Sequence, residues 1–159
     1  MLLKFLTSLF TARAAFGASV KDCSSPAALF KLNSVGLEPA NPAPGSTVSL
    51  SLDYTVPEGL TVTDGTTTYA ITLNFIPFQP STNPLCQDIP CPLGPGTYSN
   101  ITKSTWPSGV SGSFMSKMTW TDQDAAELLC IQISGSLDQS KPLTHYLRKS
   151  VAADSRDEL

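Results

Sequence analysis

The stretch STVSLSLDY, Ser46–Tyr54, alternates without a break. Val48, Leu50, Leu52 and Tyr54 fall on one side, and Ser49, Ser51 and Asp53 on the other. A period of two places alternate side chains on opposite faces of a half-buried strand. The same pattern recurs in TYAITLNF, where Tyr69, Ile71, Leu73 and Phe75 oppose Ala70, Thr72 and Asn74. SFMSKMTW groups Phe114, Met118 and Trp120, and LLCIQIS groups Leu129, Ile131 and Ile133 against Cys130 and Gln132. Proline- and glycine-rich turns punctuate these runs: EPANPAPGS, VPEG, TDGT, IPFQPSTNP, CPLGPG and WPSG. WTDQDAAELLC reads as a hairpin turn. Short strands between such turns predict an all-β sandwich.

The surrounding chain fits one domain. It has 159 residues, 41% hydrophobic and 14% charged, with a net charge of −3. That composition supports a core and is unlike a disordered chain. The acidic balance excludes a basic face that tracks nucleic-acid phosphates. Residues 1–17, MLLKFLTSLFTARAAFG, combine an early lysine, a short apolar run and small residues, the pattern of a secretory signal peptide. The competing reading is an amphipathic first helix. No later apolar run is long enough to cross a bilayer. Residues 18–137 then form the domain. Residues 138–159 form a polar tail ending in Arg-Asp-Glu-Leu, one position from a lumenal retrieval signal. The expected setting is the secretory pathway: secreted, lysosomal or vacuolar, or retained in the endoplasmic reticulum lumen.

Four cysteines stand behind this leader: Cys23, Cys86, Cys91 and Cys130. An even count in an oxidising compartment reads as two disulfides. Cys86 and Cys91 are held close by the chain, which leaves Cys23 for Cys130. Zinc is not expected, because the one histidine, His145, lies beyond the last cysteine.

In order and spacing, the pieces KDCSSP, IPFQP, CQDIPCPLGPGTYS, MTWTDQD and LLCIQI resemble the ML lipid-recognition domain, the family of Niemann-Pick type C protein 2. The resemblance covers roughly Lys21 to Leu137. One departure is GLEPANPAPG, where family members often carry a further disulfide and this chain carries prolines. The resemblance implies an immunoglobulin-like β-sandwich of two antiparallel sheets, splayed around an apolar cavity. It implies a sterol or another lipid as ligand (a fatty acid or a phospholipid), with transient contact to a membrane or membrane protein. It further implies that the Cys86–Cys91 loop closes the crossing segment beside the cavity mouth.

The residues expected at that cavity follow. Phe78 matches a family phenylalanine at the entrance. Family entrance positions fall near Pro107 and Ser111–Gly112, where the aromatic character is not kept, so Trp106 and, less so, Val110 are the substitutes on that loop. Trp106, flanked by proline and glycine, reads as an exposed lid or a membrane-dipping ring. Phe114, Met118 and Trp120, with Tyr69, Ile71, Leu73 and Phe75, are the expected lining; the plain alternative is ordinary core. Asn100-Ile101-Thr102 is an N-glycosylation sequon.

Two other functions compete with a monomeric lipid carrier. An immunoglobulin-like adhesion module would have the same strands and a filled core. An enzyme is disfavoured: no Gly-x-Ser-x-Gly elbow is present, and Asp122 and Asp124 read as turn formers. No cofactor is expected.

Overall fold

The structure, a computed structural model, describes residues 17–137. Residues 1–16, the tail from residue 138 and His145 lie outside the described residues. Among the described residues, nine strands are arranged in two antiparallel sheets. They are β1 (Ser19–Asp22), β2 (Lys31–Glu38), β3 (Thr47–Val56), β4 (Gly65–Leu73), β5 (Ile76–Pro77), β6 (Ser81–Pro84), β7 (Gly96–Thr105), β8 (Gly112–Asp122) and β9 (Glu127–Leu137). The larger sheet has the order β1-β9-β8-β4-β5, with β6 also paired to β4. The smaller has the order β2-β3-β7.

The alternation in β3 is realised residue by residue: Val48, Leu50, Leu52, Tyr54 and Val56 are all buried. β8 buries Phe114, Met118, Trp120 and Asp122. Asp122 belongs to the hairpin, where its Oδ1 accepts the backbone N–H groups of Asp124 and Ala126, both at 2.9 Å. β9 departs from a period of two, because Trp120 pairs Leu129 while Thr121 pairs Glu127. Leu128 is therefore the extra residue of a β-bulge, and both Leu128 and Leu129 are buried. A second bulge lies in β2, between Leu32 and Ser34. It breaks the alternation of Leu32, Val35 and Leu37, which hides this strand in the sequence.

The outer side of β4 is covered by IPFQPSTNP, which runs back along it. Its two ends pair as β5 and β6, and Phe78 donates its N–H to the Ile71 carbonyl at 2.8 Å. Prolines suit this place, because an edge strand has no outer neighbour to receive an N–H. The chain then crosses to the smaller sheet through a 3-10 turn, Leu85–Gln87, and residues up to Gly96. Leu85, Ile89 and Leu93 anchor that crossing in the core.

The core has two parts. A large cluster fills one end, with Tyr54 stacked on Phe30 at 5.3 Å and meeting Trp120 edge-on at 5.6 Å. A small cluster of Val48, Trp106, Phe114 and Leu137 closes the other end. Both disulfides form: Cys23–Cys130 ties the segment after β1 to β9, and Cys86–Cys91 staples the crossing.

The two bonds close loops of very different size, with separations of 107 and 5 residues. In the chain-entropy model they stabilise by about 4–5 and about 2 kcal/mol. A Cys23→Ala/Cys130→Ala variant is expected to lose about twice the stability of a Cys86→Ala/Cys91→Ala variant, measured by urea denaturation.

Candidate functional site

Between the two core clusters the sheets enclose a cavity of about 390 Å³. This is within the range of about 300–1,000 Å³ usual for small-molecule sites. Its apolar wall takes Leu37, Val48 and Leu50 from the smaller sheet and Ile71, Phe114, Met118, Ile131 and Ile133 from the larger. The void has a sequence cause. Inward positions that would close the gap with bulk carry Ser116 on β8 and Thr102 and Ser104 on β7. These small side chains leave space between flanking large ones.

The polar wall comes mainly from Asn83 on β6 and Thr102–Thr105 on β7. Asn83, Lys103, Ser104 and Thr105 are exposed, so the cavity reaches the surface at this seam between two sheet edges. Among the described residues, Lys103 is the sole charged one that lines the cavity.

Trp106 is not an exposed lid: it is only 5% exposed. It continues the inward parity of Asn100, Thr102 and Ser104. Its N–H donates to the Ser46 carbonyl at 2.8 Å, and its carbonyl accepts from Gly45 at 3.0 Å. These bonds extend the β3–β7 ladder by one step and turn the indole inward. There it lines the cavity and meets Phe114 edge-on at 4.9 Å.

The other expected residues divide. Tyr69, Ile71, Phe114 and Met118 line the cavity with Trp106. Trp120 lies in the solid cluster instead, against Tyr54. Leu73 and Val110 pack on the small end cluster. Phe75 departs most from expectation: it leaves the strand face and is 89% exposed. Asn74 and Phe75 have φ of 49° and 66°, which makes Leu73–Ile76 a tight hairpin turn. Asparagine suits that conformation and phenylalanine does not. Ile76 and Phe78 beside it are 65% and 55% exposed. The turn is fixed to the β7–β8 loop, because the Asn74 amide donates to the Ser111 carbonyl and accepts from the Ser113 N–H, each at 2.9 Å.

At the far end of the cavity, Asp88 of the crossing binds both sheets. Its Oδ2 accepts from the Thr67 hydroxyl at 2.7 Å and from the Tyr69 hydroxyl at 3.4 Å. Its carbonyl accepts from the Asn100 amide at 3.2 Å. Burial pushes the Tyr69 phenol above its ordinary range, and the charge of Asp88 adds to the shift. The sequon asparagine thus faces inward on β7, half-buried and engaged in this tie.

Sequence reading missed Leu37 and the β7 wall. Leu37 follows the bulge in β2, and the inward face of β7 is polar, so neither shows an apolar alternation. Among the described residues no cluster of His, Cys, Asp or Glu is arranged to hold a metal ion. No helix among them is long and apolar enough to cross a membrane.

The model of the ML domain matches residues 17–137. The chain belongs to the ML domain family. Two Dictyostelium discoideum relatives, provisionally named phosphatidylglycerol/phosphatidylinositol transfer proteins, are each 29% identical. The first match spans 73% of this chain and 84% of the relative, the second 75% and 80%. Among solved structures, a Niemann-Pick type C2 protein from Japanese carpenter ant superposes with a TM-score of 0.59 at 12% identity. That match covers 76% of this chain and 99% of the ant protein. Chicken MD-1, complexed with lipid IVa, gives 0.58 at 12% identity over 76% and 88%. Both share the fold of this ML domain.

Trp106 plugs the small end of the ML sandwich. A Trp106→Ala variant should lose about 3–5 kcal/mol of stability, the usual cost of truncating a buried aromatic, read from the urea midpoint at unchanged slope.

Proposed function

We propose that this ML domain is a soluble carrier that holds the hydrocarbon part of one lipid between its sheets and releases it by transient contact with a membrane. The unfilled apolar cavity supports this reading above all. A filled-core adhesion module has no use for such a space. Placing on the order of 500 Å² of apolar lipid surface there is worth roughly 12 kcal/mol before costs. Lost ligand freedom and ordering of the walls reduce that to a reversible affinity. No chemical step is required. The names of the Dictyostelium relatives favour a phospholipid among the possible cargoes, with a sterol or fatty acid as the alternatives. The two disulfides support an oxidising compartment, such as the secretory lumen or the cell exterior.

Membrane contact is best served by the exposed hairpin tip. Phe75, Ile76 and Phe78 project beside the loop that carries Trp106. The acidic side chains Glu58, Asp64, Asp122, Asp124 and Glu127 belong to the opposite end of the sandwich, where β4 begins and β3 ends. An apolar tip with few carboxylates nearby suits a lipid surface.

Two experiments test the reading. Ser116→Phe is expected to fill the void and abolish uptake of a fluorescent phospholipid while leaving the circular dichroism spectrum intact; unchanged uptake would remove the cavity from the account. Phe75→Ser/Ile76→Ser should leave equilibrium uptake of the same probe unchanged and reduce co-sedimentation with phosphatidylcholine vesicles several-fold.

A further inference from the structure

We infer that Asn74 is a positioning residue that couples the exposed tip of the β4–β5 hairpin to the β7–β8 connection, so that contact of the tip with a bilayer loosens the Trp106 end of the sandwich. The inference deepens the carrier reading and rests on it.

The tip is built against local preference. Asn74 and Phe75 both have positive φ, and a two-residue turn of this kind ordinarily takes glycine at its second position. Phenylalanine keeps such a conformation only where its surroundings over-determine it. The surroundings are the start of β8. The Asn74 backbone N–H donates to the Ser113 carbonyl at 2.8 Å. Its side-chain amide donates to the Ser111 carbonyl, and its Oδ1 accepts from the Ser113 N–H. Gly112, between these two serines, has a φ of 109°, and a Cβ there would overlap the Asn74 side chain. The segment 111–113 is thus shaped around one asparagine.

That segment leads in both directions to the small end cluster. One residue onward is Phe114, which is buried, pairs with Leu73 across the β4–β8 ladder and meets the Trp106 ring edge-on. One residue back is Val110, which packs on the same cluster. The connection 106–111 then runs to Trp106 itself, from the larger sheet to the smaller. A push on the tip is therefore carried by hydrogen bonds to the neighbours of the plug, and along the chain to the plug. Phe75, almost wholly exposed, adds nothing to the core and is placed where only an outside surface can engage it.

Asparagine in such a turn has another common use, because it tolerates a positive φ better than other residues with a side chain. That role needs the backbone conformation, which glycine also supplies, and does not need the side-chain bridge. The test exploits the difference. The full chain is loaded with a fluorescent phospholipid, and transfer to phosphatidylcholine vesicles is timed at several vesicle concentrations. Wild type should transfer at a rate that rises with vesicle concentration. Asn74→Gly should take up the probe and co-sediment with the vesicles as wild type does, and transfer it about 10-fold more slowly, an ordinary size for coupling between two sites. Asn74→Asp, which keeps the turn and the acceptor but has no amide to offer Ser111, should fall between the two. Transfer by Asn74→Gly at the wild-type rate would overturn the coupling. So would a loss of vesicle binding in step with transfer, which would reduce Asn74 to shaping the tip, or wild-type transfer by Asn74→Asp beside slow Asn74→Gly, which would trace the effect to glycine's freedom. A wild-type rate independent of vesicle concentration would instead overturn release by membrane contact, and failure of wild type to take up the probe would overturn the carrier reading itself.

Discussion

The structure depends on how the chain passes from one sheet to the other at Asp88. A sandwich with a hollow middle lacks the continuous side-chain contact that normally binds its layers. Here the layers are joined at the crossing. Leu85, Ile89 and Leu93 sink into the large core cluster. The carboxylate of Asp88 takes the Thr67 and Tyr69 hydroxyls of the larger sheet, and its carbonyl takes the Asn100 amide of the smaller. The Cys86–Cys91 bond shortens the same segment. The hydrophobic effect and a small polar network therefore act on one end of the molecule, and the middle can remain open.

The openness is set by a few inward positions. Ser116, Thr102 and Ser104 occupy sites where leucine or phenylalanine would knit the sheets together. Thr102 and Ser116 are half-buried and Ser104 is exposed, so these positions bury little apolar surface. The chain thus gives up part of the burial that a solid sandwich would gain. The solid end, with Tyr54 and Trp120 at its centre, and the long-range Cys23–Cys130 bond offset that loss.

Much of this was legible in the sequence. The unbroken alternation of Ser46–Tyr54 identified a half-buried strand, and the short spacing of Cys86 and Cys91 identified the pairing that forms. The inward face of β8 was equally clear, but alternation does not distinguish cavity from core. Met118 lines the void while Trp120, two residues on, is packed against Tyr54. That distinction depends on the facing sheet. Trp106 was misread because its neighbours, proline and glycine, signal a loop; the backbone instead continues the strand parity for one more residue. Phe75 was misread for the opposite reason, since an apolar residue at the end of an apolar stripe hides a turn that asparagine and phenylalanine make together. β7 left no apolar signal because its inward positions at Asn100, Thr102 and Ser104 are polar.

The seam between β7 and β6 separates two sheets and interrupts neither. No ladder hydrogen bond spans it, so widening it leaves the backbone pairing within each sheet whole. The crossing at Asp88 sits at one end of this slot like the spine of a book. Opening is then a matter of swinging two intact covers apart about a stapled binding. At the Trp106 end Val48, Phe114 and Leu137 hold the covers shut, and the β7–β8 connection, which passes from one cover to the other, limits how far they part.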